Sequence, residues 1–351
     1  MKKREILYIL LAIFFIGCGS PSEFKSNVII QTDDNKSKGT LVGVDGDKSK
    51  NLPIETNTTC KPLPKTGQIR VHHVDDDGYL KKGSTRSYTR DSQIVTDNST
   101  GIMWQDSENI KKPWVTQENY ISGNYTDTSG DTAATYCKNL TLGEHVDWRL
   151  PTSDELYYLS DKGLEKPSID HAFQNITFDD SYWSSTASKT ISKAWYVNFD
   201  DGYKEDANKS SNFFVRCVRG ENKIIHNFVR DPEKKVVNDT KTCLMWQDGD
   251  ETTTKIWKDA MIYCNDLSFA GFDDWRVPNI HELNSINDKN KKNTAIKNAF
   301  VNTSSYGYWS STTQAEWAEY AWVIYFDSSG GYTYDQLKSY DYRTRCVRSG
   351  E

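Results

Sequence analysis

Asp147-Trp148-Arg149-Leu150-Pro151-Thr152-Ser153-Asp154-Glu155-Leu156 decides the reading, because the chain writes it again as Asp274-Trp275-Arg276-Val277-Pro278-Asn279-Ile280-His281-Glu282-Leu283. In each stretch the proline ends an extended run. Thr152 with Glu155, and Asn279 with Glu282, then stand at capping-box spacing. The first side chain accepts the amide of the second residue, whose carboxylate reaches back to the first amide. A helix therefore starts here in both halves. Leu156 and Leu159, or Leu283 and Ile286, direct that helix into a core.

Outward from this stretch, four more blocks recur in the same order. Met103-Trp104-Gln105-Asp106 returns as Met245-Trp246-Gln247-Asp248, and Tyr182-Trp183-Ser184-Ser185-Thr186 as Tyr308-Trp309-Ser310-Ser311-Thr312. Ala194-Trp195 returns as Ala321-Trp322, and Arg216-Cys217-Val218-Arg219 as Arg345-Cys346-Val347-Arg348. The chain is thus a tandem repeat, with copies at 90–220 and 221–351.

Each copy reads as α+β. Ile94-Val95 and Ile102-Met103-Trp104 flank the turn-rich stretch Asp97–Gly101 as a strand pair. A first helix follows, with Ala133, Cys137 and Leu140, or Ala260, Cys264 and Leu267, on one face. After the capped second helix, Trp195, Val197 and Phe199 alternate before the hairpin signal Asp200-Asp201-Gly202. Phe213, Val215 and Cys217 alternate in a closing strand. The expectation is two helices and a small antiparallel sheet per copy. Copy one is longer between Asp106 and Cys137 than copy two between Asp248 and Cys264, which places a surface-loop insertion at Ser107–Gly130.

The first residues carry a different signal. Lys2, Lys3 and Arg4 precede an apolar run from Ile6 to Ile16, too short to span a bilayer as a helix but suited to a signal peptide. It ends Phe15-Ile16-Gly17-Cys18, which resembles the bacterial lipobox. That resemblance implies cleavage after residue 17 and acylation of Cys18; Gly19, rather than Asp, favours the outer membrane, facing either the periplasm or the cell surface. Residues 18–58 have one aromatic, Phe24, and abundant Ser, Asn, Asp, Lys and Gly, the composition of a flexible tether. Residues 59–89, with Cys60, Tyr79 and Tyr88, read as an N-terminal extension packing on the first domain.

An exported chain meets an oxidising compartment, so its cysteines are expected to pair. The repeat pairs Cys137 with Cys217 and Cys264 with Cys346, each joining first helix to last strand. Cys60 and Cys243 remain, either bridged across to the second domain or left as separate thiols. No two cysteines stand at zinc-finger spacing, and no metal or other cofactor is expected. Asp45-Gly46-Asp47-Lys48-Ser49 begins like a calcium loop, but Lys50 sits where glycine is needed, and Asp75-Asp76-Asp77-Gly78 reads as a turn.

Net charge is −6 for the whole chain, and the leader carries more basic than acidic residues, so the mature chain is more acidic still. Copy one holds 13 basic against 20 acidic residues. Nucleic acid and other polyanions, which are bound through basic patches, are poor partners for such a surface.

The blocks TGIMWQD, DWRLPTSDEL, YWSST and VRCVRG, with TCLMWQD, DWRVPNIHEL, YWSST and TRCVRS, resemble the Lcl C-terminal domain family, the C-terminal part of a collagen-like adhesin. The resemblance covers nearly all of 90–350. It implies a fold similar to the C-type-lectin and formylglycine-generating-enzyme group, binding of sulfated polysaccharide or host glycan, and trimeric assembly. This chain has no collagen-like stretch.

Catalysis has little to stand on. None of the six histidines, at 72, 73, 145, 171, 226 and 281, recurs between copies. No motif suggests a Ser–His–Asp unit. Formylglycine-generating relatives use a reactive cysteine pair, whereas both recurring cysteines here are read as structural. The recurring Trp148, Arg149, Trp183, Ser184, Ser185 and Thr186 are read as core and turn residues. Binding is instead expected at rings outside the blocks: Trp114, Tyr120 and Tyr125 in the insertion, and Trp317, Tyr320, Tyr332 and Tyr334 in loops around Trp322. The expected function is a non-catalytic, lipid-anchored envelope or surface protein that binds glycan or protein. The alternatives are a periplasm-facing structural or assembly role and, third, an enzyme.

Overall fold

The capping boxes form as read. Thr152 accepts the Glu155 amide at 3.2 Å, and Glu155 accepts the Thr152 amide at 2.8 Å. Asn279 and Glu282 repeat this at 2.9 Å in both directions. The computed structural model describes residues 60–350, apart from 178–180, 222–224, 250–252, 292 and 328–329. The leader, Cys18 and the tether 18–58 lie outside the described residues.

A short helix α1 (Asp77–Leu80) precedes copy one. Copy one comprises β1 (Tyr88–Asp91), β2 (Ile94–Asp97), β3 (Met103–Gln105), β4 (Ile110–Lys112), α2 (Gln117–Ile121), α3 (Ala133–Asn139), α4 (Ser153–Leu159), β5 (Ser181–Ala187), β6 (Lys193–Asn198), β7 (Lys204–Asn208), β8 (Phe213–Val215) and β9 (Val218–Arg219). Copy two comprises β10 (Phe228–Asp231), β11 (Val236–Asp239), β12 (Leu244–Gln247), β13 (Thr254–Lys255), α5 (Trp257–Asn265), α6 (Ile280–Ser285), β14 (Gly307–Thr313), β15 (Tyr320–Tyr325), β16 (Tyr332–Leu337), β17 (Tyr342–Arg343) and β18 (Val347–Ser349).

Each copy opens with a four-stranded sheet, β1-β2-β3-β9 or β10-β11-β12-β18. The remaining strands of the two copies join in one ten-stranded sheet of order β13-β17-β14-β15-β16-β7-β6-β5-β8-β4. β16 meets β7 at Thr333 opposite Lys204, so each copy covers the other's exposed edge. The joint is reciprocal. Tyr203 packs on Trp322 with ring centroids 5.2 Å apart and donates to Asp335 at 2.5 Å. Tyr332 packs on Trp195 at 5.5 Å and donates to Asp206. Under this joint α4 and α6 share one core: Leu156, Tyr157 and Leu159 cluster with Ile280, Leu283 and Ile286.

Several expectations are corrected. The sheets are not purely antiparallel, since β5 pairs with β8, and β14 with β17, in parallel. The closing segment does not alternate. Phe214, Val215, Cys217 and Val218 are all buried, because β8 and β9 belong to different sheets and are covered on both sides. The stretch 107–130 is not simply a loop. It holds β4 and a third helix, α2, and its start matches β13 and Trp257 of copy two. The extension packs on both copies and not on the first alone. The Lys61 amide donates to Lys241 O at 2.9 Å, and Asn279 donates to Lys82 O at 3.3 Å. On the copy-one side, Arg86 donates to Lys65 O, Leu159 O and Ser160 O.

Three disulfides form: Cys137–Cys217, Cys264–Cys346 and Cys60–Cys243. Cys243 sits where copy one has Gly101, and both take positive φ, 56° and 75°, in the same turn. A left-handed residue other than glycine is disfavoured by roughly 1–2 kcal/mol. Here the residue in that position is the one that holds the extension to copy two.

Candidate functional site

The recurring polar residues are engaged inside each copy. Arg149 grips Glu155 through two bonds at 2.8 and 2.6 Å, and Arg276 grips Glu282 at 2.6 and 2.7 Å. The aspartate that closes each Met-Trp-Gln-Asp block is buried between two arginines. Asp106 accepts from Arg216 at 2.6 Å and also from Arg90. Asp248 accepts from Arg345 at 3.1 Å and Arg230 at 2.8 Å. Burial alone would raise Asp106, but the Arg216 charge and hydrogen bonds overcome this and hold it below the usual carboxylate range. Ser184 and Ser310 donate to Trp195 O and Trp322 O at 2.7 and 2.8 Å. The indoles of Trp148 and Trp183 donate to Leu142 O and Lys112 O at 3.3 and 3.1 Å. Of the recurring copy-one residues singled out, Arg149, Ser185 and Thr186 stay open on one side.

The rings expected to bind divide into four groups. Trp114 is buried, which corrects its placement in an exposed insertion. Its N–H reaches Ser184 O at 2.9 Å and the Lys209 ammonium lies 4.1 Å above the ring. Trp257 does the same with Ser310 O and Lys338, so Trp114 belongs to the repeat after all. The sequence held a signal for the match: Lys112-Pro113-Trp114 and Lys255-Ile256-Trp257 lie at nearly the same distance after Asp106 and Asp248. Tyr120 and Tyr125 are half-buried and meet edge to face at 5.2 Å. Tyr332 and Tyr334 lie in β16 rather than in loops, beside the joint between copies. Trp317 is 50% exposed, and Tyr320, which opens β15 rather than lying in a loop, stands against it at 6.3 Å. The structure does not bring these rings together into one site.

A concave feature also went unread in the sequence, because its walls come from distant segments. A cleft of about 330 Å³ opens between the extension and copy one, faced by Pro62, Pro64, Arg86, Tyr88, Trp104 and Tyr158. Three of its charged groups are engaged, Arg86 with three carbonyls, Glu155 with Arg149, and Asp97 with Ser99 and Thr100, while the exposed Lys61 also lines it. Trp104 and Tyr158 stand buried behind its wall, so Pro62, Pro64, the half-buried Tyr88 and Lys61 are what it offers to a ligand.

Charges buried near the joint were also missed. Lys162 donates to Gly202 O at 2.5 Å and lies 3.9 Å above the Trp322 ring, while Lys204 reaches Asn284. Burial pushes both ammonium groups well down. Asp77 is the opposite case. Burial raises it to about 7, although the Thr66 and Thr312 hydroxyls donate to it. A carboxylate whose folded value is raised contributes stability that is fully present below about pH 4 and lost as pH rises through 7. Asp77→Asn is therefore expected to flatten the fall in stability between pH 4 and 7. Thermal midpoints of both proteins across that range check this; parallel curves would contradict it.

The molecule is thus a duplicated α+β module, internally cross-linked, with an Arg–Glu pair and a buried aspartate between two arginines in each copy. The family model described as the Lcl C-terminal domain matches residues 93–219 and again 235–348, and the chain belongs to that family. No curated protein matches the chain.

Proposed function

We propose that the chain is a non-catalytic, lipid-anchored protein of the outer membrane whose C-type-lectin-like copies bind a glycan or a protein. One observation carries this reading. Most polar side chains shared by the two copies are engaged in the interior, whereas a cleft between extension and copy one, faced by Pro62, Pro64 and Tyr88, stays open. Rings that face a cleft can stack on the apolar side of a pyranose or on a peptide. The anchor rests on the lipobox-like residues ending in Cys18.

The test is a glycan array and a surface-protein overlay with the soluble chain and a Ser99→Trp variant. Ser99 is exposed at the cleft mouth. Binding that the variant loses supports the reading; no binding in either format removes it. Palmitate labelling that disappears in Cys18→Ser tests the anchor. Protease treatment of intact cells separates surface display from the periplasm-facing alternative.

A further inference from the structure

The two copies present the same strand in different states. β14 is buried along its whole length, whereas β5 is buried only as far as Ser184. Ser185 and Ala187 are exposed and Thr186 is half-buried, while their counterparts Ser311, Thr312 and Thr313 are covered almost completely. The extension makes the difference. Gln68 Oε1 accepts the Thr313 amide at 2.7 Å, and Asp77 Oδ2 accepts the Thr312 hydroxyl at 2.7 Å. Asp77 also acts on Arg276, whose side chain is 8% exposed, against 37% for Arg149.

Beneath this cover the frameworks agree. The Ser153 and Ile280 amides donate to Thr186 and Thr312, both at 3.0 Å. The Ser185 and Ser311 amides donate to Pro151 O and Pro278 O at 2.7 and 2.8 Å. The receiving surface of copy one is that of copy two with its cover taken away. The chain's own extension is committed elsewhere: Cys60 is bridged to Cys243 at one end, and Tyr88 enters β1 at the other.

We infer that the face formed by Ser185, Thr186, Ala187 and Arg149 binds an aspartate-bearing segment of a partner protein, in the way copy two binds residues 68–80 of its own chain. The partner's carboxylate takes the Thr186 hydroxyl proton in a hydrogen bond, as Asp77 does from Thr312. Exclusion of water around the segment strengthens that bond. The inference rests on reading the chain as a binding protein, but it uses a surface separate from the cleft.

The probe is a fluorescent peptide with the sequence of residues 64–82, titrated into the full chain. Saturable binding is expected. Ala187→Arg, which blocks the face at an exposed position, is expected to weaken it at least about tenfold, as is Asp77→Ala in the peptide, the loss of about one hydrogen bond to a carboxyl group. Unchanged thermal unfolding of Ala187→Arg shows that the fold is intact. Absence of peptide binding, or equal binding to Ala187→Arg, overturns the inference. If glycan or protein binding lost in Ser99→Trp is seen at the same time, the inference alone falls; if neither ligand binds, both readings fall.

Discussion

Arg216→Met is expected to destabilise the chain by about 3–5 kcal/mol, because it takes the more buried of two guanidinium partners from a carboxylate that has no route to water. Asp106 and Arg216 are both buried. The guanidinium also donates to Gln105 O at 2.8 Å and Asn175 O at 2.6 Å, so one side chain ties β3 to the loop after α4. Methionine keeps much of the volume and removes the charge. Arg90 remains on Asp106 but is more exposed and cannot supply the two lost carbonyl bonds. Copy two contains its own replicate: Arg345→Met should give a similar loss through Asp248 and Gln247 O. Urea unfolding measures both. A loss under about 1 kcal/mol in either would mean that the buried carboxylate finds other compensation. The sign with pH follows from the lowered value of Asp106. Its contribution is present above the ordinary carboxylate range and disappears as pH falls through its folded value. Arg216→Met should therefore matter less in strong acid than at neutrality.

Removing one internal disulfide should have a comparable effect. Cys137 and Cys217 are 80 positions apart, and Cys264 and Cys346 are 82 apart. Closing a loop of that length restricts the unfolded chain by about 4 kcal/mol on chain-entropy grounds. Cys137→Ala with Cys217→Ala should lose roughly that amount, read as a lowered midpoint without reductant. Both sulfurs lie in the core among Trp148, Trp183 and Ala133, so a small part of the loss is packing. Adding reductant to the native protein should act slowly, since each of these bridges opens only when its core does. Fast reduction of the 137–217 bridge in the native state would contradict the burial.

Much of this architecture is local or symmetric, and those parts were legible. Thr152 and Glu155 sit three residues apart and act on each other, so no distant contact is needed to expect their helix. The cysteine pairs follow from duplication, since equivalent residues in two copies take equivalent partners. The alternation of Trp195, Val197 and Phe199 marks a strand buried on one face, and all three are buried. The rings were harder. Trp114 looked unmatched because the chain between it and Cys137 differs in length from that between Trp257 and Cys264. Counted from Asp106 and Asp248 the two tryptophans do align, each after a Lys-x pair, and equivalent carbonyls and lysines meet them in the fold.

The amino-acid order by itself determined that there are two units, where their capped helices begin and which recurring cysteines join. Tertiary structure alone decided that β7 and β16 meet edge to edge, that Lys204 is buried at that joint, and that the extension covers β14 but leaves β5 open. The reason is that an unpaired strand edge carries amide and carbonyl groups that any other edge can satisfy. Which edge it meets depends on how the surfaces fit in space, and no short run of residues encodes that.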